Sequence, residues 1–485
     1  MNFEKEMQTI LKSNNFLVYI FTKEEERLKN TLTKISHDLF RKKIKTWNFI
    51  EGYENSNTYQ SKQNPLEALE TITKENNNEI KVFFLQDFDV FTSDISINRK
   101  LKNLSYFLKT SAKFTILSGT TENLPQNLKE HIIEISLPLP NKKEIKQELE
   151  HFFCKTNLSL LAQKENISIA YTGFSINKIR YSISKLIINN IPTKNIIKKI
   201  LKEKEEIVNV NKGLKFYIDN NNEPNLGGLK NLKKWLIIRS TSFTKKASAY
   251  GIKMPKGILL VGIQGTGKSL SAKTASQYWK IPLLRLNISK IFAGILGESE
   301  KKVESIISTC RQLAPCILWI DEIDKIFNEY ANNSDSGTTQ RVTNIILTWL
   351  SERKDEVFII ATANRIDKFP VEMLRKGRFD EVFFVDLPTF KERLNIFQIH
   401  LKKVRPLTWH KYNLYYLSKI SQNFSGAEIE QSIIEAMYNS FYAGREFTTL
   451  DLINSINKII PIAISERNKL QKLRQWGHSG KIKIA

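Results

Sequence analysis

The chain has 485 residues, of which 41% are hydrophobic, and a formal net charge of +24 from 74 Lys and Arg against 50 Asp and Glu. This length predicts about two to four domains with apolar cores, and no apolar stretch is long enough to span a membrane. The three cysteines, Cys154, Cys310 and Cys316, form no C-x-x-C pair, so neither a zinc site nor a disulfide framework is indicated. Cys310 and Cys316 are expected to be buried thiols.

The positive charge favours polyanionic partners, such as nucleic acid or an anionic membrane surface. The chain is also rich in Lys, Asn and Ile, whose codons are A/T-rich, so genomic base composition is an alternative source of the lysines. The lysines are dispersed and are not interleaved with aromatic residues, unlike those of single-strand binders. Nucleic acid therefore remains an open candidate partner on charge alone.

The N-terminal half is predicted to contain a series of apolar strands, at residues 16–21, 82–85, 114–117 and 132–137. The charged start of the chain lacks the character of a secretory signal or transit peptide, so we expect the protein to be made where it works. Residues 22–27, TKEEER, follow the first strand. They contain no glycine, and their three adjacent carboxylates would repel a triphosphate. We therefore predict that residues 1–200 form a nucleotide-incompetent α/β domain.

A linker is predicted after this half. The charged helical stretch from Lys194 to Lys215 and the polar run from Asp219 to Pro224 separate the two strand-rich parts of the chain. We place the linker at residues 201–224.

A glycine-rich loop, GIQGTGKS at residues 262–269, lies between an apolar run and a run compatible with a helix. The spacing matches a P-loop, in which glycines let backbone N–H groups turn towards a phosphate and the following helix adds its dipole. Lys268 is expected to reach the β- and γ-phosphates, and the Ser269 hydroxyl to hold Mg²⁺. The nucleotide-binding residues predicted here are Gly262, Ile263, Gln264, Gly265, Thr266, Gly267, Lys268, Ser269 and Leu270.

Apolar strands separated by helical segments continue after the loop and predict a parallel sheet with crossover helices. Asp321 ends one of these strands, where a buried carboxylate is costly unless it serves Mg²⁺ together with Ser269. Glu322 is aimed at the same cleft and is the predicted general base for the attacking water. Asn364, at the tip of the neighbouring strand, is expected to orient that water.

Two arginines, Arg375 and Arg378, bracket a Lys-Gly turn further along the chain. Lys268 already supplies the phosphate site of this domain, so the guanidiniums are predicted to act on the site of a neighbouring subunit. A local salt bridge with Asp380 or Glu381 is the alternative.

The two halves share a weak repeat. Residues 137–144 resemble residues 387–393, and Phe174-Ser175 is followed by the same pattern of apolar residues as Phe424-Ser425. This spacing predicts a duplicated domain, with coincidence of short apolar runs as the alternative.

The second half resembles the AAA ATPase family over about residues 225–450. The motifs that carry the resemblance are the P-loop, Leu318–Asp324, Ala361–Arg365, Gly377–Asp380 and Phe424–Glu428. It implies an α/β P-loop module at 225–390, with a parallel sheet and flanking helices, and a small helical lid with a C-terminal tail at 391–485. The first half then becomes a degenerate AAA-like α/β domain.

The resemblance also assigns residues and an assembly. It implies paired arginine fingers at Arg375 and Arg378, ATP and Mg²⁺ as ligands, and a homo-oligomeric ring such as a hexamer. His400 matches the histidine near the ribose. The adenine pocket is implied at Leu226, Gly227, Gly426 and Ala427.

The overall layout is similar to AAA proteins from hypothetical reading frames of plastids and cyanobacteria, down to the tail around residues 474–477. Plastid encoding is the localisation that this implies, with the cytoplasm of a bacterium as the alternative. One motif departs from AAA motors that thread polypeptides. Ile295-Leu296 precedes Gly297, and the nearest aromatic residue is Phe292, so aromatic grip on a client is in doubt.

The predicted function is Mg²⁺-dependent ATP hydrolysis that remodels a partner, and the predicted partner is a protein client. The first alternative is a regulatory module that switches shape on binding ATP. The intact Glu322, Asn364 and arginines argue against it, because a pure switch does not need all of them. The second alternative is a nucleic-acid remodeller, which the charge favours.

Overall fold

A computed structural model describes most of the chain between residues 3 and 485. The residues that it does not describe in this interval are 14–15, 55–60, 76–79, 112, 122–123, 157–163, 190–191, 211–212, 218–225, 244, 293–297, 329–335, 354, 366–368, 370–372, 374, 376 and 479–481. The chain divides into two compact units, Met1–Thr193 and Lys194–Ala485, which we call the first and second units.

The first unit alternates helices and strands. Its elements are α1 (Phe3–Lys12), β1 (Leu17–Phe21), α2 (Glu25–Phe40), β2 (Lys43–Asn48), β3 (Gly52–Tyr53), α3 (Pro65–Lys74), β4 (Ile80–Leu85), α4 (Ile95–Ser111), β5 (Phe114–Gly119), β6 (Ile133–Ser136), α5 (Lys142–Thr156), α6 (Lys164–Ala170) and α7 (Ile176–Ile188). The strands form one sheet in the order β3-β2-β4-β5-β1-β6, parallel except for the short β3.

The second unit begins with α8 (Thr193–Val210), which starts at the last residue of the first. Its elements up to the end of the sheet core are β7 (Leu214–Tyr217), α9 (Lys230–Ser240), α10 (Lys245–Ala249), β8 (Gly257–Gly262), α11 (Lys268–Trp279), β9 (Leu283–Leu286), α12 (Ile288–Phe292), α13 (Glu298–Gln312), β10 (Cys316–Ile320), α14 (Asp324–Asn328), α15 (Ser336–Glu352), β11 (Val357–Ala363) and β12 (Glu381–Val385). The remaining elements are α16 (Phe390–Val404), α17 (Leu414–Ile420), α18 (Gly426–Tyr442), α19 (Thr449–Lys458), α20 (Ile462–Ser465), α21 (Arg467–Gly477) and β13 (Lys483–Ile484).

The sheet of the second unit is covered on both faces. Its order is β13-β12-β8-β11-β10-β9-β7, parallel except for β7. Within β8, Leu259 and Val261 join the core on one face, while Ile258 and Leu260 join the core on the other. This continuous apolar run is typical of a parallel strand buried on both faces, and it fixes the strand from which the glycine-rich loop departs.

The predicted helical lid has its own core. Helices α16 to α19 pack around a buried cluster that includes Phe397, Leu417 and Ile433. The tail then returns to the main sheet. Leu470 and Leu473 of α21 join its core, and the Gly477 backbone lies so close to Phe384 that a Cβ atom would clash with the ring.

The strand order shows that the two units share one topology. Five parallel strands in each sheet correspond, and both sheets place them in the same order when they are counted along the chain: fifth, first, fourth, third, second. This order is β6-β1-β5-β4-β2 in the first unit and β12-β8-β11-β10-β9 in the second. The α/β fold predicted from the sequence is thereby confirmed, and the shared strand order supports the predicted duplication of the domain.

Much of the interval predicted as a linker, 201–224, is folded. Helix α8 continues to Val210 and contributes buried Val208 to the core of the second unit, and β7 pairs antiparallel with β9. Leu214 and Phe216 point inward while Lys215 is exposed, which is the alternation of a strand with one buried face. The charged and Asn-rich composition of the interval conceals this short apolar pattern.

Among the described helices, none combines the length and apolarity needed to cross a membrane. The expectation for two of the cysteines is confirmed. Cys310 and Cys316 are buried free thiols, and burial raises the pKa of Cys316 to about 12.

Candidate functional site

The glycine-rich loop connects β8 to α11, as the sequence predicts. Gly265 and Gly267 have φ values of +78° and +94°, in the left-handed region that favours glycine. A Cβ atom on Gly262 would lie 2.1 Å from the carbonyl oxygen of Val385 on the adjacent strand. The glycines therefore permit both the turn of the loop and its close approach to the sheet.

Lys268 is the first residue of α11 and is only 6% exposed. Its ammonium donates hydrogen bonds to the backbone oxygens of Gly262, at 2.8 Å, and Ile263. Burial lowers the pKa of Lys268 to about 8, against the opposing effect of the carboxylates of Asp324 and Asp321. The ammonium of Lys268 is therefore held inside the loop by backbone oxygens.

Asp321 lies beside Ser269, as the prediction of a shared Mg²⁺ site requires. Its Oδ1 accepts hydrogen bonds from the Ser269 hydroxyl at 3.1 Å and the Thr362 hydroxyl at 2.7 Å, and its Oδ2 lies 2.9 Å from Arg285 Nη2. A hydroxyl and a carboxylate meet at the mouth of the glycine-rich loop. Oxygen ligands of this kind suit Mg²⁺, which keeps several waters and binds through few protein groups. The residues present therefore fit the ion.

Glu322 and Asn364 are in direct contact. The Asn364 amide donates to Glu322 Oε1 at 3.1 Å, and the Glu322 backbone N–H donates to the Thr362 hydroxyl at 2.9 Å. Glu322 has a φ of +53°, a left-handed conformation that is strained for a glutamate and aims its carboxylate into the cleft. Lys325 forms an ion pair with the other carboxylate oxygen at 2.5 Å.

Thr362 was missed by the sequence analysis, although it links the two acidic residues. It is 1% exposed and precedes the last residue of β11. A hydroxyl in an otherwise apolar, fully buried strand requires a hydrogen-bond partner. The Ala-Thr-Ala-Asn pattern was the available signal.

A cavity of about 420 Å³ joins the loop to the lid. Of the predicted site residues, those lining it are Leu226, Gly227, Gln264, Gly265, Thr266, Gly267, Lys268, Ser269, Leu270, Asp321, Glu322, Asn364, His400, Gly426 and Ala427. Gly262 and Ile263 are not among the lining residues, and contribute their carbonyls to Lys268 instead. The size suits a small-molecule ligand.

The lid contributes a backbone contact to the glycine-rich loop and side chains to the cavity lining. The Ala427 backbone N–H, at the start of α18, donates to the Gly265 oxygen at 3.1 Å. His400 Nδ1 lies 3.5 Å from Glu430, and burial lowers the pKa of His400. Its imidazole is therefore biased towards the neutral form, which can both donate and accept hydrogen bonds.

Glu392 is a second residue that the sequence analysis did not identify. It completes a capping box with Thr389 at the start of α16, and its Oε1 accepts a hydrogen bond from the Leu229 backbone N–H at 3.0 Å. It thus connects the lid to the segment that carries Leu226 and Gly227. The Thr-x-x-Glu spacing before an apolar helix was the available signal.

The two predicted arginine fingers lie outside the cavity lining. Arg375 is exposed, and Arg378 is half-buried with a buried Nη1 that has no hydrogen-bond partner among the described residues. Asp380 accepts a hydrogen bond from the Gly257 backbone N–H, and Glu381 pairs with Lys483. Ile295 and Leu296, together with Gly297 at the start of Gly-Glu-Ser-Glu, lie outside the described residues.

Comparison with known proteins gives matches to both units. The AAA family (ATPase family associated with various cellular activities) matches residues 258–387, and the N-terminal domain of SpoVK-like AAA ATPases matches residues 3–137. The AAA domain-containing protein ycf46 of Gracilaria tenuistipitata var. liui is 48% identical over the whole of both chains, and that of Pyropia yezoensis is 44% identical over 100% of this chain and 99% of its own. The proteasome-activating nucleotidase of Saccharolobus solfataricus is 36% identical over 46% of this chain and 57% of its own.

Proposed function

Because this chain belongs to the AAA ATPase family, we propose that it binds ATP with Mg²⁺ in the cavity of the second unit, hydrolyses it, and uses the cycle to remodel a partner protein. The observation that carries the proposal is the continuous set of contacts from Ser269 through Asp321 and Thr362 to Glu322 and Asn364. A loop that only bound a phosphate would not need this acidic arrangement.

The proposal assigns each residue a role according to its position in the site. The loop backbone and Lys268 bind the phosphates, and Ser269 and Asp321 would hold Mg²⁺, which supplies charge neutralisation at the phosphates when bound. Glu322 accepts a proton from the attacking water, and Asn364 keeps the Glu322 carboxylate oriented towards the cleft through its hydrogen bond. His400, Gly426 and Ala427, with Leu226 and Gly227, would enclose the ribose and the adenine.

The proposed active form is a ring of identical subunits. Arg375 and Arg378 stand away from the cavity of their own chain, which is consistent with use at a neighbouring site, where a guanidinium stabilises charge on the transferring phosphoryl group. The resemblance to plastid AAA proteins and the A/T-biased composition support plastid encoding. The N-terminal unit would then serve in docking or assembly.

A phosphate-release assay tests the activity. Lys268→Ala should abolish ATP binding, because it removes the main cation facing the phosphates. Glu322→Gln should retain binding and lose at least about 100-fold in turnover, because the amide cannot accept the proton. Asp87→Asn is the matched control. Asp87 follows β4 of the first unit and shares the left-handed φ of Glu322. Because it lies outside the proposed site, its replacement should leave turnover unchanged.

Parental rates in both site variants would show that the site is misplaced. Parental ATP binding with negligible phosphate release in the wild-type chain would favour the nucleotide-switched module. A pull-down with Glu322→Gln, which should hold ATP and partner together, addresses the client. Salt-dependent binding to DNA and RNA tests the nucleic-acid alternative.

A further inference from the structure

Arg285 is the charged residue in an otherwise apolar strand. Its neighbours on β9, Leu284 and Leu286, are buried, whereas the Arg285 side chain is 48% exposed. Strand pairing sets Arg285 beside Trp319 of β10, and its guanidinium lies 4.5 Å from the centre of the indole ring. From there Nη2 reaches Asp321 Oδ2 at 2.9 Å. The aromatic face thus holds the guanidinium at the acidic residue.

The two oxygens of Asp321 have different partners. Oδ1 accepts from the neutral hydroxyls of Ser269 and Thr362, and Oδ2 faces the cation. Among the described residues, Arg285 is the ion-pair partner of Asp321. Arg285 is not among the residues that line the cavity, whereas Asp321 is.

The first unit offers an internal comparison. Gln86 follows β4 at the position that Asp321 occupies after β10. The strand pairing that sets Arg285 beside β10 sets the buried Thr46 beside Phe84 of β4. The unit that lacks the acidic residue therefore also lacks the arginine. A cation needed only to hold the strands together would be expected in both units, whether or not the acidic residue is present.

We propose that Arg285 is a positioning residue that competes with the divalent cation for the carboxylate of Asp321 and so sets the metal requirement of the site. The inference rests on the proposed function, because it concerns the Mg²⁺ that ATP hydrolysis uses. A guanidinium in contact with the carboxylate neutralises part of its charge and repels a second cation. Because Trp319 retains the guanidinium, the competition persists, and the carboxylate binds free metal weakly.

The consequence is that metal enters together with nucleotide phosphates, which add the negative charge that Arg285 cancels. Removing the arginine should therefore strengthen metal binding, the opposite of what loss of a structural contact predicts. Arg285→Lys keeps the charge and should stay close to the wild-type protein. Lys273→Ala is the matched control. It removes one positive charge from α11. The Lys273 ammonium lies over the ring of Tyr217, 4.6 Å from the ring centre, instead of contacting the site.

The experiment is a Mn²⁺ titration of the full chain followed by electron paramagnetic resonance, without nucleotide and with a non-hydrolysable ATP analogue. We expect Arg285→Ala to bind Mn²⁺ about three- to tenfold more tightly, and to lower the Mg²⁺ concentration for half-maximal hydrolysis by a similar factor. Asp321→Asn in the Arg285→Ala background should remove the gain. Thermal unfolding verifies that each variant folds.

Unchanged or weaker Mn²⁺ binding by Arg285→Ala in both titrations would overturn the inference and leave Arg285 a structural ion pair. Equal strengthening by Lys273→Ala would also overturn it, because the effect would then be one of net charge. The Mn²⁺ titration requires no turnover. A wild-type chain that hydrolyses no ATP, with tighter Mn²⁺ binding in Arg285→Ala, would contradict the proposed function alone.

Discussion

The two units of this chain share one strand order but carry opposite charges at the start of the helix that follows the first strand. Between the first strand and the following helix, the second unit has five residues, 263–267, and the first unit has three, 22–24. The first residue of that helix is Lys268 in one unit and Glu25 in the other. The apolar strands preserve the fold, while a few loop residues determine whether a phosphate can bind.

The first unit has an acidic side chain, Glu24, where the second unit has its glycine-rich loop. Glu24 is buried, and accepts a hydrogen bond from the Ile176 backbone N–H at 2.6 Å and another from Arg27 at 2.7 Å. In the second unit, the equivalent lid helix donates from Ala427 to the loop carbonyl of Gly265. A side-chain acid in the first unit thus replaces the glycine-rich loop as the partner of the lid. The same fold can therefore join its last helix to the loop after the first strand either through a side-chain carboxylate or through a backbone carbonyl.

Exchanging the charge at the first helical residue is the strongest test of this comparison. Lys268→Glu should abolish ATP binding, a loss of at least about 100-fold, because a carboxylate would face the phosphates. Glu25→Lys should create no binding, because the short loop still presents no glycine cradle. The measurement is a titration with a fluorescent ATP analogue. Residual micromolar binding in Lys268→Glu would contradict the role proposed for Lys268.

The next largest effect is expected on turnover, from replacing one of the predicted arginine fingers, Arg375 and Arg378. The corresponding stretch after β5, residues 120–132, contains no arginine. Arg375→Ala should lower turnover at least about 100-fold, and mixing it with Lys268→Ala should restore part of the activity, because some mixed interfaces carry both intact parts. Lys129→Ala, in the equivalent stretch, should have no effect. Sedimentation with ATP and Mg²⁺ is the companion measurement, and a monomer with full activity would refute action between subunits.

The hydrogen bonds of Glu24 in the first unit are tested by removing its charge. Glu24→Gln should destabilise this unit by about 1–3 kcal/mol, because a buried acceptor of two hydrogen bonds, one to a charged group, is weakened. Glu26→Gln is the control, since Glu26 is 64% exposed and its ion pair with Arg180 should contribute at most about 1 kcal/mol. Urea unfolding combined with hydrogen exchange in α7 measures both. Equal changes in the two variants would remove the special role of Glu24.

The smallest expected effect is on pH dependence. Because the pKa of Lys268 is lowered to about 8, the lysine loses its charge between pH 7 and 9, and ATP affinity should fall about tenfold over this range. Folding stability should change in the opposite direction. The unfolded lysine holds its proton to higher pH, so stability rises as pH increases above about 8. Lys268→Arg stays charged and should flatten both profiles, and a flat wild-type profile would contradict the shift.

The sequence predicted the sheet and most residues lining the cavity because their signals are local. A glycine loop between an apolar run and a helix, and acidic or amide residues directly after strands, identify positions without knowledge of distant contacts. Thr362, Glu392 and Arg285 required the structure, because each acts through a partner more than 30 residues away. The assignments of Arg375 and Arg378 to a neighbouring subunit remain predictions.

Strand β7 has a consequence for how the second unit is handled in isolation. The AAA match begins at residue 258, and a truncated protein that starts near residue 225 would lack β7. The backbone hydrogen-bonding groups of β9 would then face solvent along the free side of the strand, a template on which other chains can pair. The strand Leu214–Tyr217, with the exposed charge of Lys215, therefore protects against aggregation, and a shorter fragment should precipitate where one beginning at Lys194 stays in solution.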